Sequence, residues 1–374
     1  MARVLLVTND FPPRPGGIQS FLYGLASRMP PDDVVVYTSR WRGCEEWDAA
    51  QAFHVVREDT SVLLPTRSVR RRAQQLVRAH GCEVAWFGAA APLGLLAESL
   101  RAAGAARVVA TTHGHEAGWA MVPGARQLLR RIASNVDVLT YLGDYTRTRL
   151  ADAVGVENAA KLQRLAPGVD ADVFRPGLGA GVRERLGLSA RPVVVCVSRL
   201  MPRKGQDTLI RGLPVLQRSV PDVALLLVGG GPYRSRLESL VASSGLGDAV
   251  VFTGSVPWPE LPAYYGAGDV FAMPCRTRLG GADVEGLGIV YLEASACGLP
   301  VVAGNSGGAP DTVVQGSTGF VVDGGSVDDV DARLAALLSN GDLRRDLGDA
   351  GRRWVTEEWT WTRQVRELAS LLSL

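Results

Sequence analysis

The chain has 374 residues, enough for about two domains of ordinary size. Hydrophobic residues make up 47% and charged residues 21%, a composition that is typical of globular proteins and excludes a disordered, fibrous or disulfide-stapled chain. The net charge of +2 divides into +5 over residues 1–168 and −3 over the remainder, a basic excess too weak for a dedicated nucleic-acid-binding protein.

Membrane-spanning and disulfide-linked classes are also disfavoured. The longest uncharged apolar run, residues 84–97, is shorter than the roughly 18 residues that a membrane span needs. The start, MARVLLVTNDFPP, resembles a first strand rather than a secretion signal, which predicts a cytoplasmic protein. The five cysteines form no CxxC pair, and this predicts reduced thiols rather than disulfides or zinc ligands.

Short apolar runs alternate with longer amphipathic stretches, as in βα units around parallel sheets. The strands predicted in the first half are 4–8, 34–38, 84–87, 108–111 and 136–140. After a Gly- and Pro-rich linker at 166–191, the strands predicted in the second half are 193–198, 224–228, 250–253, 270–273 and 301–303. We therefore expect an α/β fold of two Rossmann-like, doubly wound domains, 1–168 and 169–357, which face each other across a cleft.

A glycine pair follows the first predicted strand, in the sequence TNDFPPRPGGIQ of residues 8–19. Gly16 and Gly17 lie just before a predicted helix, where backbone N–H groups can approach an anion. The GxGxxG fingerprint of nicotinamide enzymes is absent from this turn. By itself the pair is also compatible with an ordinary turn.

Two cations follow the first strand of the second half, in the sequence SRLMPRKGQD. Arg199 lies at the carboxyl end of this strand and Lys204 just before a helix, where two fixed cations can hold a diphosphate. The alternative is a pair of solvated surface charges. We favour the diphosphate interpretation because the strand end is where ligands bind in open α/β sheets.

Two carboxylates occur in the sequence DVEGLGIVYLEASACG, residues 283–298. Glu285 falls in a Gly-rich turn, and Glu293, eight positions later, falls in a predicted helix. If both belong to one helical element, they lie roughly 10 Å apart along it. That separation suits two parts of one elongated ligand better than a metal site, and a carboxylate in a packed helix needs a donor such as a ribose diol.

These motifs, in this order, resemble the retaining GT-B glycosyltransferases of the GT4 family. The resemblance narrows to the actinobacterial PimB-type mannosyltransferases on the segments TNDFPPRPGGIQS, WFGAAAPLGLLA, THGHEAGW, SRLMPRKGQD and RRWVTEEWTW. It implies α-1,6 transfer of mannose from GDP-mannose to a phosphatidylinositol mannoside at the cytoplasmic membrane face. It also implies that a last helix, about 358–374, packs back on the first domain.

The resemblance assigns roles to individual residues. Arg199 and Lys204 would hold the diphosphate, with Gly16 and Gly17 closing over it, and Glu293 would bind the ribose. Glu285 and the N–H groups of the next three residues would bind mannose, His113 would face the donor sugar, and Val256 would meet guanine through its backbone. The remaining implied residues are Gly286, Leu287 and Gly288 at the donor and Asp10 and Gln19 on the acceptor side. His113 and Asp10 also have ordinary structural interpretations, as a packed histidine and a turn-capping residue.

The resemblance further implies chemistry without a metal or other cofactor. The two cations and a helix terminus would replace a divalent ion, and none of the segments that carry the resemblance contains a DxD motif. Three alternatives stay open: a GT-B transferase with another donor and a soluble acceptor, a sugar-nucleotide epimerase, and a non-catalytic nucleotide-sugar-binding protein. A fold alone does not decide among them.

A basic helix is predicted at residues 67–81, in the sequence RSVRRRAQQLVRAHG. The residues Arg67, Arg70, Arg71 and Arg78 fall near one face, and Arg72 adds a further cation. Apolar positions on the same helix make it a candidate to lie on an anionic membrane surface, with the protein peripheral to that membrane. The alternative is the solvated face of an ordinary βα unit.

Overall fold

The computed structural model describes residues 2–114, 116 and 123–374, and the chain divides into two compact units. Unit 1 comprises Met1–Gly168 and Trp361–Leu374, and unit 2 comprises Val169–Thr360. Both units are α/β, as expected, and each contains one wholly parallel sheet among the described residues. No helix in the described part of the chain is long and apolar enough to cross a membrane.

Unit 1 is built around a sheet of seven strands in its described residues, in the order β3-β2-β1-β4-β5-β6-β7. The strands are β1 (Arg3–Thr8), β2 (Val34–Ser39), β3 (His54–Glu58), β4 (Cys82–Phe87), β5 (Arg107–Ala110), β6 (Val138–Tyr141) and β7 (Leu162–Arg164). The helices are α1 (Gly17–Ala26), α2 (Cys44–Ala49), α3 (Arg67–His80), α4 (Ala97–Arg101), α5 (Pro123–Asn135), α6 (Asp144–Val154) and α7 (Val156–Ala159).

Unit 2 repeats this plan with a sheet of six strands in the order β10-β9-β8-β11-β12-β13. The strands are β8 (Val193–Val197), β9 (Ala224–Val228), β10 (Val250–Gly254), β11 (Val270–Met273), β12 (Val301–Gly304) and β13 (Gly319–Val322). The helices are α8 (Ala180–Arg185), α9 (Gln206–Ser219), α10 (Arg234–Ser243), α11 (Leu261–Gly266), α12 (Ile289–Ala296), α13 (Val327–Ser339) and α14 (Gly341–Glu358).

The strand order reverses once in each sheet, between β1 and β4 in unit 1 and between β8 and β11 in unit 2. The loops at the carboxyl ends of these strands therefore leave the sheet in opposite directions and open a crevice. The central strands β1 and β8 have continuous apolar sequences and are nearly fully buried. They therefore give the crevice of each unit a rigid wall.

The last helix, α15 (Trp361–Leu372), belongs to unit 1 and begins three residues later than expected. It packs on α1, where the ring of Trp361 fills the space in which a side chain at Gly24 would lie. The guanidinium of Arg28 lies 5.0 Å from the centre of that ring. Arg107 at the start of β5 also donates a hydrogen bond to the carbonyl of Leu371.

Several sequence predictions need correction. The linker predicted at 166–191 contains a helix, α8, and the strands β3, β7 and β13 were not predicted. The strand predicted at 136–140 begins at Val138. The omissions of β3 and β7 share a cause, since both strands lie at the sheet edges and carry polar residues, which weakens the apolar signal that identifies a strand.

The basic helix α3 forms as predicted and is capped by the Thr66 hydroxyl, which accepts a hydrogen bond from the Val69 N–H. Its apolar residues do not face solvent, because Val69, Leu76 and Val77 are buried in the core of unit 1. These apolar positions are therefore not available to a membrane surface, contrary to the use that the sequence analysis made of them. All the α3 arginines are exposed, but Arg72 lies roughly 140° around the helix from Arg67.

One buried carboxyl in unit 2 lacks a compensating partner. Asp331 of α13 packs against Gly212 of α9, is 6% exposed, and has one oxygen, Oδ2, without a hydrogen-bond partner among the described residues. Burial, with a smaller contribution from Asp328, raises the pKa of Asp331 to about 6. Because the folded state favours the protonated form, this carboxyl costs stability as pH rises through that value.

We predict that Asp331→Asn stabilises unit 2 above pH 7. The amide keeps the shape of the carboxyl group and removes the cost of burying its charge, so the free energy of unfolding at pH 7.5 should rise by about 2 kcal/mol. The gain should disappear near pH 3, where the carboxyl is largely protonated in both states. Urea denaturation at the two pH values measures this. Asp349→Asn, at an exposed position on α14, is the control and should change little.

Candidate functional site

The glycine loop of unit 1 lies at the carboxyl end of β1. Gly16 immediately precedes α1 with φ 156°, a conformation that side chains disfavour, and a Cβ atom there would lie 2.1 Å from the side-chain oxygen of Gln19. Gly17 is the first residue of α1 and has open space around it. The local structure therefore requires glycine at position 16, and the α1 N-terminus follows it directly.

The two acceptor-side candidates contact each other. The Gln19 amide donates a hydrogen bond to Asp10 Oδ1 at 2.8 Å, and the Asp10 N–H donates to the Thr8 hydroxyl at 2.9 Å. Gln19 is 6% exposed, so its amide needs this partner. The pair connects the two ends of the glycine loop and fixes its shape.

The middle of the glycine loop is anchored to the rest of unit 1. Phe11 is buried in an aromatic cluster, and its nearest ring is that of Trp47 on α2, 5.7 Å away in an edge-to-face arrangement. Arg57 of β3 donates a hydrogen bond to the Pro12 carbonyl at 2.6 Å and forms an ion pair with Asp48 at 2.7 Å. These contacts were not foreseen from the sequence, because α2 and β3 are distant from the loop along the chain.

His113 lies beyond the end of β5 in the same unit. Its Nε2 is 2.5 Å from the carbonyl oxygen of Gly88, which follows β4. A carbonyl only accepts, so Nε2 carries a proton. The ring also packs edge-on against Phe21 of α1 at 5.6 Å. The imidazole is thus held in one orientation at the carboxyl ends of β4 and β5. Of the THGHEAGW segment, His115 and residues 117–119 lie outside the described residues.

The cations of unit 2 are in unlike environments. Arg199, just after β8, is exposed, whereas Lys204 is 8% exposed and follows in a short turn before α9. Lys204 Nζ lies 2.6 Å from Glu285 Oε2, and Arg203 Nε lies 3.8 Å from the same oxygen. The alternative of two solvated surface charges therefore does not hold for Lys204. Arg203 was missed, although it stands beside Lys204 in the sequence.

Glu285 is in a loop, as its Gly-rich sequence predicted, and it does not share one helical element with Glu293. The helix α12 begins only at Ile289. The Glu285 backbone is held by its carbonyl, which accepts from the Gly308 N–H at 2.9 Å. Gly307 allows this approach, because a Cβ atom there would lie 1.9 Å from the Glu285 carbonyl oxygen. The turn therefore belongs to the packed framework of unit 2.

The three residues after Glu285 lead into the α12 N-terminus. Leu287 is 4% exposed, while Gly286 and Gly288 are partly exposed. Gly288 precedes the helix with φ 85°, and a Cβ atom there would lie 2.5 Å from the ring of Tyr291. Gly288 is thus required by both conformation and space. The first N–H groups of α12 follow it and have no intrahelical acceptor.

A pocket of about 270 Å³ opens at the carboxyl ends of β8, β9 and β10. It brings together three predicted donor-binding residues, Arg199, Val256 and Glu293. Lys204 and the 285–288 turn do not line it. The remaining lining residues are Val197, Ser198, Val228, Gly229, Gly230, Ser255, Leu261, Tyr265 and Val290. The pocket is mostly apolar, with a carboxylate and a guanidinium among its lining groups, which is typical of small-molecule sites.

Glu293 has a partner that sequence reasoning missed. The hydroxyl of Tyr265, on α11, donates a hydrogen bond to Glu293 Oε2 at 2.6 Å. Burial raises the pKa of Glu293 to about 7, and the hydrogen bond from Tyr265 opposes that rise. No signal in the sequence links two residues 28 positions apart on different helices. The described residues also contain no cluster of three or more His, Cys, Asp or Glu side chains arranged to hold a metal ion.

Two family models match the chain. "Glycosyltransferase Family 4" matches residues 15–173, and "Glycosyl transferases group 1" matches residues 182–354. The chain is 53% identical over 376 residues to the GDP-mannose-dependent alpha-(1-6)-phosphatidylinositol monomannoside mannosyltransferase of Mycolicibacterium smegmatis, covering 99% of this chain and 98% of that protein. The chain belongs to glycosyltransferase family 4.

Other relatives agree with this assignment to a family of glycosyltransferases. The GDP-mannose-dependent monoacylated alpha-(1-6)-phosphatidylinositol monomannoside mannosyltransferase of Corynebacterium glutamicum is 44% identical over 376 residues, covering 99% of this chain and 97% of that one. The crystal structure of Anabaena HepE in complex with UDP aligns with a TM-score of 0.84 at 20% identity and covers 99% of each chain. That likeness concerns the fold alone. The GT-B fold and the PimB-type resemblance expected from the sequence are confirmed.

We predict strong energetic coupling between Lys204 and Glu285. Lys204→Met leaves a buried carboxylate without its nearest cation and should lower the free energy of unfolding of unit 2 by about 3 kcal/mol. Adding Glu285→Gln should recover part of that loss, because the uncompensated charge is then removed. Denaturation of the two single variants and the double variant measures the coupling.

The matched control for this cycle is the exposed pair Arg234 and Glu238 of α10, whose atoms also lie 2.7 Å apart. Its coupling should stay below about 1 kcal/mol because solvent screens it. Additive losses for Lys204 and Glu285 would show that the two side chains do not form a coupled ion pair in solution.

Proposed function

We propose that this glycosyltransferase moves mannose from GDP-mannose to a phosphatidylinositol monomannoside, forming an α-1,6 linkage with retention of configuration. The observation that carries the proposal is the 53% identity, over nearly the full length of both chains, to a relative whose name states this donor and acceptor. The pocket in unit 2 supports it, because Arg199, Val256 and Glu293 line one cavity.

The chemistry that we propose depends on the leaving diphosphate. Arg199 and Lys204 would neutralise its developing charge, and the diphosphate would accept the proton of the incoming hydroxyl on the same face of the sugar. A carboxylate nucleophile is not part of this scheme: Glu285 forms an ion pair with Lys204, and Glu293 binds Tyr265. We also propose that no metal is required, so activity should survive EDTA.

The proposal is tested by incubating the protein with a panel of nucleotide sugars and extracted lipid acceptors. Mannose transfer from GDP-mannose to the monomannoside supports it. Transfer from another donor or to a soluble acceptor, isomerisation of the donor, or binding without turnover would each replace it with one of the alternatives. His113→Ala should lower the turnover rate, since its fixed imidazole is predicted to face the donor sugar.

We predict that Glu293→Gln weakens GDP binding. If Glu293 accepts hydrogen bonds from the ribose, loss of its charge should reduce the affinity by about 1.5–3 kcal/mol, the usual contribution of a hydrogen bond to a charged group. Isothermal titration calorimetry measures the change. Glu184→Gln, at an exposed position on α8 in the same unit, should bind GDP as the parent does. Equal affinities for all three proteins would remove Glu293 from the donor site.

A lipid acceptor requires contact with a membrane surface, and we propose that α3 provides it at the cytoplasmic face. Arg67, Arg70 and Arg71 are exposed on α3, and Arg67 and Arg71 lie on the side opposite its buried face. Val62 and Leu64, which precede α3, are 48% and 52% exposed and supply the apolar contact that the helix itself does not. Cations beside exposed aliphatic side chains suit an anionic phospholipid surface.

We predict that replacing Arg67, Arg70 and Arg71 by Gln weakens binding to anionic liposomes roughly 100-fold, at about 1 kcal/mol for each cation. Liposome sedimentation measures this, and GDP affinity should be unchanged. The control removes the same charge from α5 and α6 with Arg131→Gln, Arg147→Gln and Arg149→Gln. Sedimentation of the α3 variant equal to that of the parent would place the docking surface elsewhere.

A further inference from the structure

The carboxylate of Glu293 is a polar group in a mostly apolar pocket of unit 2. It lies in the middle of α12, and the adjacent residues Leu292 and Ala294 are fully buried. Glu293 itself is only partly buried and lines the pocket. A carboxylate in such surroundings requires donors from the protein as well as from any ligand.

The donor from the protein is Tyr265. Its hydroxyl is 2.6 Å from Glu293 Oε2, and its side chain also lines the pocket although the residue is fully buried. The ring is fixed by Phe174, 5.7 Å away and edge-to-face, and by Phe271 at 5.8 Å. The position of the hydroxyl is therefore set by aromatic packing before any ligand arrives.

We propose that Tyr265 is a positioning residue, which orients the Glu293 carboxylate toward the ribose diol of the donor nucleotide. The inference rests on the proposed function, since it takes Glu293 as the ribose ligand. By occupying Oε2 from the side of α11, Tyr265 sets the plane of the carboxylate and directs its remaining lone pairs to the pocket. Binding should then favour nucleotides that carry both ribose hydroxyls.

Protonation gives this arrangement a measurable signature. Burial raises the pKa of Glu293 to about 7, so the ionised carboxylate, which accepts hydrogen bonds, is depleted as pH falls below 7. The hydrogen bond from Tyr265 favours the ionised carboxylate. The phenol pKa of Tyr265 is raised well above its ordinary value, so it remains a donor at neutral pH. Without the hydroxyl, the pKa of Glu293 should rise further and the loss of affinity should begin at a higher pH.

The other titratable and charged groups around Glu293 do not change their protonation state between pH 6 and 8. Burial raises the pKa of the Cys196 thiol on β8 and of the Cys297 thiol after α12 to about 12. Two arginines are near: Arg352 of α14 donates a hydrogen bond to the Ala296 carbonyl at the end of α12, and Arg199 lines the pocket. Both stay charged, because a guanidinium does not titrate near neutrality. A pH dependence between 6 and 8 that requires the ribose hydroxyls therefore reports Glu293.

The test compares GDP with 2′,3′-dideoxy-GDP in the parent, Tyr265→Phe and Tyr264→Phe, by calorimetry between pH 6 and 8.5. Tyr265→Phe keeps the ring and should weaken GDP about 10-fold at pH 7 while leaving dideoxy-GDP unchanged. Tyr264 is the neighbouring residue on α11, and its hydroxyl accepts from Arg185, so its variant should match the parent. In a Glu293→Gln background, Tyr265→Phe should add nothing.

Equal losses of affinity for GDP and dideoxy-GDP in Tyr265→Phe would show that the hydroxyl has a merely structural role and would overturn the proposal. The proposal would also be overturned if Tyr265→Phe bound GDP as the parent does across the pH range. A second readout needs no variant: in the parent, GDP affinity should fall from pH 8 to pH 6 more steeply than dideoxy-GDP affinity, because both ligands carry the same titrating terminal phosphate and only GDP has the ribose hydroxyls. A flat GDP profile also counts against the proposal. If the parent binds UDP instead, the proposed donor fails, and UDP with its dideoxy analogue tests Tyr265 in the same way.

Discussion

The ion pair between Lys204 and Glu285 is the contact on which the organisation of unit 2 depends. It joins the loop after β8 to the loop before α12, two segments 81 residues apart, across 2.6 Å in a site where both side chains are about nine-tenths buried. Two charges removed from water are tolerated only when they face each other. The pair therefore fixes the distance between the cationic loop and the α12 N-terminus.

The parallel sheets explain why these loops meet at all. Each strand of unit 2 ends at the same edge, so residues after β8, β9 and β10 converge on one pocket although they are scattered along the chain. Glycines permit the close approach: Gly205, with φ 79°, would place a Cβ atom 2.0 Å from the Pro274 carbonyl oxygen, where the loops after β8 and β11 touch. Larger residues there would separate the loops that hold Lys204 and Glu285.

The sequence predicted most reliably what depends on local pattern. Central strands such as β9 and β11 were placed at their observed residues, because a buried parallel strand is a continuous apolar run bounded by turns. The motifs in the loops that follow these strands were also recognisable, because a motif is a local pattern in the sequence. The partners of the motif residues were not predictable: Tyr265 and Arg57 act across distances set by tertiary packing, and neither stands in a pattern of its own.

The two carboxylates of the 285–293 segment show why spacing alone misleads. The spacing of eight positions suggested that both carboxylates lie on one side of one helix. The φ of 85° at Gly288 instead breaks the element and gives the carboxylates separate surroundings. Glu285 meets a cation, whereas Glu293 meets a phenol in an apolar wall, where its pKa rises to about 7. Environment rather than residue type divides their roles. Under the proposed function, the ion-paired Glu285 would orient sugar hydroxyls without attacking the sugar, and the ionised form of Glu293 would accept hydrogen bonds from the ribose diol.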